Sequence, residues 1–251
     1  MTTFLKIILI LSLIFNLFAI WGLFHYVMYG GSPLSELKRK ILGGPKAVGA
    51  APYEDDIAGI KKEVAEGKFD SLRVVFYGAS ITHNWDLKKY FPEIHPVNRG
   101  VGGFVQDLVI KFKSNVLDLK PRAVVIKLCS INFRPQIPMY MLKDGMAIMV
   151  TMAKDAGITP IMATVIPAGK PAAHIGDFNV ADSLAAFNDW ARQYAAQNSV
   201  VLIDYARAIQ DENGFLPRDC SIDPVHVNDK GYGIMAEAAR PIVDQVVGIK
   251  Q

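Results

Sequence analysis

The chain has 251 residues and a formal net charge of +3, from 27 Lys and Arg against 24 Asp and Glu. Hydrophobic residues make up 51% and charged residues 20%, which supplies a sizeable core and excludes a disordered chain. Two cysteines exclude a disulfide scaffold and a four-cysteine zinc site, and nucleic acid is not an expected partner because there is no long block of Lys or Arg.

An uncharged apolar stretch lies near the start of the chain. No Asp, Glu, Lys or Arg occurs between Lys6 and Glu36. Its most apolar part, residues 7–24, reaches the roughly 18 residues that cross a bilayer core. A signal peptidase site with small residues does not follow closely, which favours an uncleaved anchor over a cleaved signal peptide. Residues 1–30 are therefore predicted to form a single transmembrane helix that anchors the protein in a membrane.

Two opposing sequence patterns bear on which side of the membrane the following domain lies. Basic residues after the stretch, such as Lys38 and Arg39, favour a cytoplasmic domain by the positive-inside rule. The short N-terminal tail before an export-type apolar run favours the opposite side. We expect an extracytoplasmic domain, periplasmic or at the cell surface. Residues 31–53 are predicted to be a linker, because 43–53 are rich in Gly, Pro and Ala.

From residue 54 to 251 helical patterns alternate with short β-branched runs. The strands are almost continuously apolar, which is typical of parallel sheets covered on both faces. The pattern predicts a three-layer α/β/α sandwich with a mostly parallel, flavodoxin-like five-stranded sheet. Predicted strands cover 72–77, 123–128, 160–165 and 200–204, and predicted helices cover 55–67, 104–119, 138–156, 179–198 and 231–247.

Sites in such folds form outside the carboxyl ends of the strands, and glycine occurs in two segments there. After the first strand, Gly78 permits a tight turn and Ser80 begins a helix, either as a nucleophile or as an ordinary N-cap. In the second segment Gly100, Gly102 and Gly103 let the backbone approach a ligand with its N–H groups outward, although an ordinary turn has the same composition.

Two further segments carry polar side chains. Asn132 follows the strand at 123–128, where its amide either donates to a developing oxyanion or simply ends the strand. Asp223 and His226 are three residues apart, so the carboxylate can bind one imidazole nitrogen and leave the other as a base. A capped turn and a metal-ligand pair are alternatives, but a metal site needs further His or Cys ligands nearby.

Together the four segments resemble the SGNH (GDSL-type) hydrolases over the region from about Leu72 to the C-terminal helix. The resemblance implies Ser80 as nucleophile, His226 as acid-base group and Asp223 as the residue that orients His226. It also implies an oxyanion hole from the backbone N–H groups of Ser80 and Gly103 and the side-chain amide of Asn132, with no cofactor or metal. The matching blocks are Gly78-Ala79-Ser80-Ile81, Asn98-Arg99-Gly100-Val101-Gly102-Gly103, Ser130-Ile131-Asn132 and Asp223-Pro224-Val225-His226.

Three positions depart from the family pattern. Ala79 stands where the family has Asp, Ser130 where it has Gly, and Phe133 where it has a second acid. The triad acid, Asp223, is not among them. The sequence leaves open whether Cys129 and Cys220 form a disulfide or remain two buried thiols. The stretch 166–174, rich in Pro, Gly and Ala, is predicted to be a loop that covers the substrate.

Three functions agree with these residues. The first is a serine esterase that removes a short acyl group, such as acetyl, from a cell-envelope glycan or lipid. The second is an acyltransferase on the same scaffold, because the acyl-enzyme half of the reaction is shared. The third is an inactive envelope binding or assembly module. The complete set of candidate catalytic residues favours the esterase.

Overall fold

Helices and strands alternate through the part of the chain that the structure describes. This computed structural model describes residues 55–249 and the single position Ser12. Apart from Ser12, the predicted anchor and linker lie outside that part, and their boundaries stay predictions. Within the described residues, no helix combines the length and apolar character that crossing a bilayer requires.

Five parallel strands form the central sheet in the order β2-β1-β3-β4-β7. This is the flavodoxin-like order, with the first strand beside the second and third. A separate hairpin consists of β5 and β6. The strands are β1 Arg73–Gly78, β2 His95–Gly100, β3 Ala123–Lys127, β4 Thr159–Ala163, β5 His174–Ile175, β6 Phe178–Asn179 and β7 Val201–Ile203. The predicted α/β fold with a five-stranded parallel sheet between helices is therefore confirmed.

Helices cover both faces of the sheet, because successive strand residues point to opposite sides. Val75 and Tyr77 of β1 belong to one core cluster, with residues of α4, α5 and α6. Val74 and Phe76 belong to the other, with residues of α2, α3, α7 and α8. The described helices are α1 Ile57–Ala65, α2 Ser80–His83, α3 Leu87–Tyr90, α4 Val105–Asn115, α5 Met139–Asp155, α6 Val180–Gln197, α7 Tyr205–Ile209 and α8 Asp229–Val247.

The edge strand β2 is an element that the sequence pattern did not reveal. Its six residues include Pro96, Asn98, Arg99 and Gly100, which are poor strand formers. They pair with β1 from Arg73↔His95 to Gly78↔Gly100. An edge strand tolerates proline because one side of its backbone needs no partner strand. The segment predicted as a glycine-rich turn is thus half strand and half turn.

Gly78, the last residue of β1, lies close to both α2 and β3. A side chain at Gly78 would meet Thr82 Oγ1 at 2.4 Å and the backbone oxygen of Lys127 at 2.8 Å. Only glycine permits that approach. The chain therefore turns directly from β1 into α2, and Ser80 emerges at the carboxyl edge of the sheet.

Candidate active site

Ser80 is the first residue of α2, and the rest of that short helix is anchored in the core. Ile81 and Thr82 are buried. The side-chain amide of Asn98 donates to the backbone oxygens of Thr82 and Trp85 at 2.7 and 3.1 Å. From the opposite side, the Tyr232 hydroxyl donates to the Ile81 oxygen at 2.9 Å. The position of Ser80 is thereby tied to β2 and to α8.

Ser80, His226 and Asp223 form a continuous chain of hydrogen bonds. Ser80 Oγ lies 3.0 Å from His226 Nε2, and His226 Nδ1 lies 2.8 Å from Asp223 Oδ2. The second carboxylate oxygen, Oδ1, accepts from the backbone N–H groups of Val225 and His226, each at 2.8 Å. Because a carboxylate only accepts, Nδ1 of a neutral His226 carries the proton and Nε2 is the free base.

The environment of Asp223 favours its charged form. Partial burial acts to raise the pKa of the carboxyl group, but hydrogen bonds from Val225 and His226 outweigh it. The pKa of Asp223 therefore lies below its ordinary value, and the group is an anion at neutral pH. An anion at this place holds the His226 ring in orientation and stabilises the imidazolium once a proton arrives.

The glycine loop after β2 presents backbone to the same place. Gly103 has a φ of 138°, and a side chain there would meet Asp107 Oδ2 at 2.6 Å. Asp107 also accepts from the Phe104 N–H at 2.9 Å, which begins α4. Among the described residues no acceptor meets the backbone N–H of Ser80 or of Gly103. Both N–H groups are thus available to an oxyanion.

Asn132 lies behind the wall of this site. Its side chain is completely buried. Oδ1 accepts from the Val105 N–H at 2.7 Å, and Nδ2 donates to the Cys129 oxygen at 3.0 Å. Ser130 and Ile131 line the cavity at this point instead. The amide braces the turn after β3 against the start of α4, and its role as an oxyanion donor stays a prediction.

A cavity of about 360 Å³ opens beside Ser80 and His226. Its wall is mostly apolar, and the predicted covering stretch 166–174 contributes three of its residues. The hairpin β5–β6 extends that wall through Ile175, which is 49% exposed. The lining consists of Ala79, Ser80, Gly102, Gly103, Cys129, Ser130, Ile131, Phe133, Arg134, Ala168, Ala172, His174, Ile175, Val180, Val225 and His226. The lining suits a small, largely apolar group next to the serine.

A family model for GDSL-like lipases and acylhydrolases matches residues 76–234, from within β1 to within α8. The chain belongs to that family. Its members are carboxylic ester hydrolases, so this GDSL family protein is an acylhydrolase. The match includes Ser80, Gly103, Asn132, Asp223 and His226, and therefore covers all four blocks.

Solved structures share the fold of this GDSL family protein at low sequence identity. A GDSL-like lipase from Bacteroides thetaiotaomicron has a TM-score of 0.64 and 22% identity, covering 76% of this chain and 99% of its own. A lipase/acylhydrolase from Enterococcus faecalis has a TM-score of 0.58 and 18% identity, covering 71% and 98%. A variant of Axe2, an acetyl-xylooligosaccharide esterase from Geobacillus, has a TM-score of 0.56 and 18% identity, covering 72% and 96%. The comparison with curated proteins gave no match.

The three departures from the family pattern have distinct surroundings in this acylhydrolase. Ala79 is buried and lines the cavity just before Ser80. Phe133 is also buried, and its ring lies edge-to-face with Phe187 of α6, with ring centroids 5.5 Å apart. Ser130 lies on the cavity surface. At the position of the family's second acid, the chain therefore makes an apolar contact between the turn after β3 and α6.

Both cysteines are free, buried thiols. Of the two possibilities left open by the sequence, the structure has the separate thiols. Cys129 Sγ lies 3.8 Å from Ser80 Oγ, so a small, weakly polar group borders the candidate nucleophile. Within residues 55–249, His, Cys, Asp and Glu side chains do not assemble into a set of three suited to a metal ion.

Sequence reasoning missed two residues of this region. Asn98 lies inside the recognised glycine block, but the role of its side chain was not predicted. Its amide donates hydrogen bonds to the backbone oxygens of Thr82 and His83 in α2. Arg134 lines the cavity two residues after Asn132. The strand-end rule that singled out Asn132 would have reached Arg134 had the whole turn after β3 been considered.

Proposed function

We propose that this GDSL family protein is a serine esterase that hydrolyses a short acyl ester, such as an acetyl ester. The observation that carries the proposal is the hydrogen-bonded chain from Ser80 through His226 to Asp223, at 3.0 and 2.8 Å. Nucleophile, base and orienting carboxylate in hydrogen-bond contact are the arrangement that activates a serine hydroxyl. An inactive binding module has no need to keep those distances.

In the first half of the reaction, Ser80 Oγ attacks the carbonyl carbon of the ester. His226 Nε2 takes the hydroxyl proton, and Asp223 stabilises the resulting imidazolium. The carbonyl oxygen becomes an anion that accepts hydrogen bonds from the Ser80 and Gly103 N–H groups. Asn132 Nδ2 gives one hydrogen to the Cys129 oxygen, and its second hydrogen is the third proposed donor. His226 then gives the proton to the leaving alkoxide, which departs as an alcohol and leaves an acyl group on Ser80.

In the second half, water replaces the alcohol. His226 removes a proton from the water, the hydroxide attacks the acyl carbon, and a second oxyanion forms in the same place. Its collapse returns the proton to Ser80 Oγ and releases the carboxylic acid. Loss of one oxyanion donor typically lowers the rate by about 10²–10³-fold.

The size and lining of the cavity support a short acyl group. About 360 Å³ lies beside Ser80 and His226, bounded by small side chains such as Ala79, Ala168 and Ala172. Enclosing a small ester in an apolar cavity removes water from the reacting atoms and strengthens the interaction of the oxyanion with its donors.

We also propose that the enzyme is anchored to a membrane through residues 1–30 and acts outside the cytoplasm. In this proposal the esters belong to a cell-envelope glycan or lipid. The support is the uncharged apolar stretch at 7–24, followed by a linker rich in Gly, Pro and Ala. A structurally similar protein named as an acetyl-xylooligosaccharide esterase supports an acetylated carbohydrate as the substrate class.

Hydrolysis of p-nitrophenyl acetate by the full-length chain tests the esterase proposal. We expect turnover by the wild type and its loss in Ser80→Ala, while Ser114→Ala, an exposed serine of α4, retains it. A fluorophosphonate probe should label the wild type at Ser80. Turnover that survives Ser80→Ala would refute the mechanism, and a folded protein without turnover or labelling would favour the inactive binding module.

A further inference from the structure

The charge distribution around the candidate catalytic cavity is one-sided. Among the described residues that line it, Arg134 is the one side chain with a permanent charge, and none is a carboxylate. Asp223 lies behind His226 and lines a neighbouring depression instead. A cation at the wall of a mostly apolar cavity produces a local positive potential, which attracts anions and disfavours cations.

Arg134 is held in place by two contacts with the site. Its Nε donates to the backbone oxygen of Ile131 at 2.8 Å. Its guanidinium carbon lies 5.2 Å from the centroid of the Phe104 ring, at the start of α4. These contacts connect the turn after β3 with the end of the glycine loop. They also orient the guanidinium before any ligand arrives, which lowers the entropic cost of binding one.

The rest of the Arg134 guanidinium is available to a ligand. Within residues 55–249 the two Nη groups of Arg134 have no hydrogen-bond acceptor, and no carboxylate forms an ion pair with its guanidinium. Two arginines elsewhere in the domain are, by contrast, paired with carboxylates: Arg73 contacts Glu63 at 2.6 Å, and Arg192 contacts Asp204 at 2.8 Å. A planar fork of free N–H donors matches the two oxygens of a carboxylate or phosphate.

We propose that Arg134 recognises an anionic group on the substrate, so that this enzyme prefers esters carrying a carboxylate or phosphate close to the ester bond. The inference rests on the proposed esterase function and names the substrate class of the same cavity. Ser80 and His226 act on the ester, while Arg134 binds the anion and sets specificity. A neutral ester leaves the Nη groups without their partner.

Aryl acetates that differ in one substituent on the ring test this assignment. The neutral member is 3-acetoxybenzamide, and the anionic members are 3-acetoxybenzoate and 3-acetoxyphenyl phosphate, which separate carboxylate from phosphate. We expect wild-type kcat/KM to be higher for at least one anionic ester than for the amide. In Arg134→Gln we expect the anionic-to-neutral ratio to fall about 10-fold or more, the range for a charge-assisted hydrogen bond. Comparing ratios between wild type and variant cancels the intrinsic reactivities of the esters.

Two variants sharpen the result. Arg134→Lys keeps the charge without the fork and should retain part of the preference. Lys170→Gln removes an exposed cation that lines the neighbouring depression rather than the catalytic cavity, and its ratio should equal that of the wild type. An unchanged ratio in Arg134→Gln, or an equal fall in Lys170→Gln, would overturn the proposal.

A binding measurement makes the test independent of turnover. Ser80→Ala is expected to bind the anionic ester more tightly than the amide, and the double variant Ser80→Ala/Arg134→Gln should lose that difference. Hydrolysis of the neutral amide ester that depends on Ser80 tests the esterase proposal separately. If no ester is hydrolysed but the difference in Kd depends on Arg134, the esterase proposal fails and the anion site stands. If Kd is the same for both ligands, the anion site is wrong.

Discussion

Ser80 and His226 meet at hydrogen-bond distance, but the segments that carry them are held in different ways. The nucleophile segment, residues 79–85, is largely buried and receives hydrogen bonds from Asn98 and Tyr232. The base segment, residues 221–227, is exposed at Ile222, Asp223 and Pro224, and much of its bonding is internal. A long-range bond from the Gly169 N–H to the Pro224 oxygen, at 2.7 Å, joins it to the turn after β4.

The two segments are therefore expected to respond differently to substitutions. The nucleophile segment depends on the core, so a substitution that moves it is expected to lower stability and activity together. The base segment is folded mainly by its own short-range bonds, so a substitution there is expected to lower activity at nearly constant stability. Segments with few buried contacts open and adjust at low free-energy cost.

The largest expected effect is on activity alone, in the base segment. Asp223→Asn keeps an oxygen for the Val225 and His226 N–H groups but loses the anion that fixes the His226 tautomer. We expect kcat on p-nitrophenyl acetate to fall about 10⁴-fold, with the free energy of unfolding changed by less than about 1 kcal/mol. Asp219→Asn, an exposed carboxylate that pairs with Lys230 in the wild type, is the control and should retain activity. A loss below about 10-fold would contradict the role given to Asp223.

The charge of Asp223 can also be followed directly as the pH changes. Because hydrogen bonds hold the pKa of Asp223 below its ordinary value, the carboxylate is charged above that value and gains protons only in stronger acid. The NMR signal of the Asp223 carboxyl carbon should therefore stay that of a carboxylate between about pH 8 and pH 5. A signal that moves to that of the protonated acid within this range would show that Asp223 takes up a proton there.

A smaller effect, on stability, is expected in the nucleophile segment. A side chain at Gly100 would lie 2.1 Å from the backbone nitrogen of His83, so Gly100→Ala forces β2 away from α2. We expect the free energy of unfolding in urea to fall by about 2–3 kcal/mol, the cost of overpacking a core. Gly102→Ala meets no atom within 4 Å and is the stability control. Equal stability of the two variants would show that the nucleophile segment is not held by this contact.

The smallest expected effect tests the link between the base segment and the sheet. A side chain at Gly169 would lie 3.2 Å from the Pro224 oxygen, which requires a shift of a few tenths of an ångström. Gly169→Ala should therefore lower kcat by about 10-fold or less, through misplacement of His226, and cost under about 1 kcal/mol in stability. Gly233→Ala in α8 has open space and is the control. A loss of stability as large as that of Gly100→Ala would remove the distinction between the two segments.

Much of the fold was accessible from the sequence because its elements are locally encoded. Apolar runs predicted β1, β3, β4 and β7, and periodic helices predicted α4, α5, α6 and α8 within a few residues. β2 escaped because its strand state comes from pairing with β1 and not from its own composition, which includes Pro96 and Gly100. The hairpin β5–β6 was not predicted either, because each of its strands has only two residues and is too short to show an alternating pattern.

The candidate site, like the fold, was only partly predictable from the sequence. Residue types and spacing were enough to single out Ser80, Gly103, Asn132, Asp223 and His226. They were not enough to show that the Asn132 side chain turns inward to Val105 and Cys129, or that the two cysteines stay apart. Those outcomes depend on which backbone groups the turn after β3 meets when it packs against α4.

By itself, the sequence determined the family, the order of most strands and helices and the chemistry available at their ends, because these depend on local patterns and residue types. The tertiary structure decided which of those groups meet. Ser80 and His226 are separated by 146 positions, and only the folding of α2 and the base segment onto one edge of the sheet brings them within 3.0 Å. It also decided that Arg134 faces the cavity without a carboxylate partner, because the pairing of a charge depends on every segment around it.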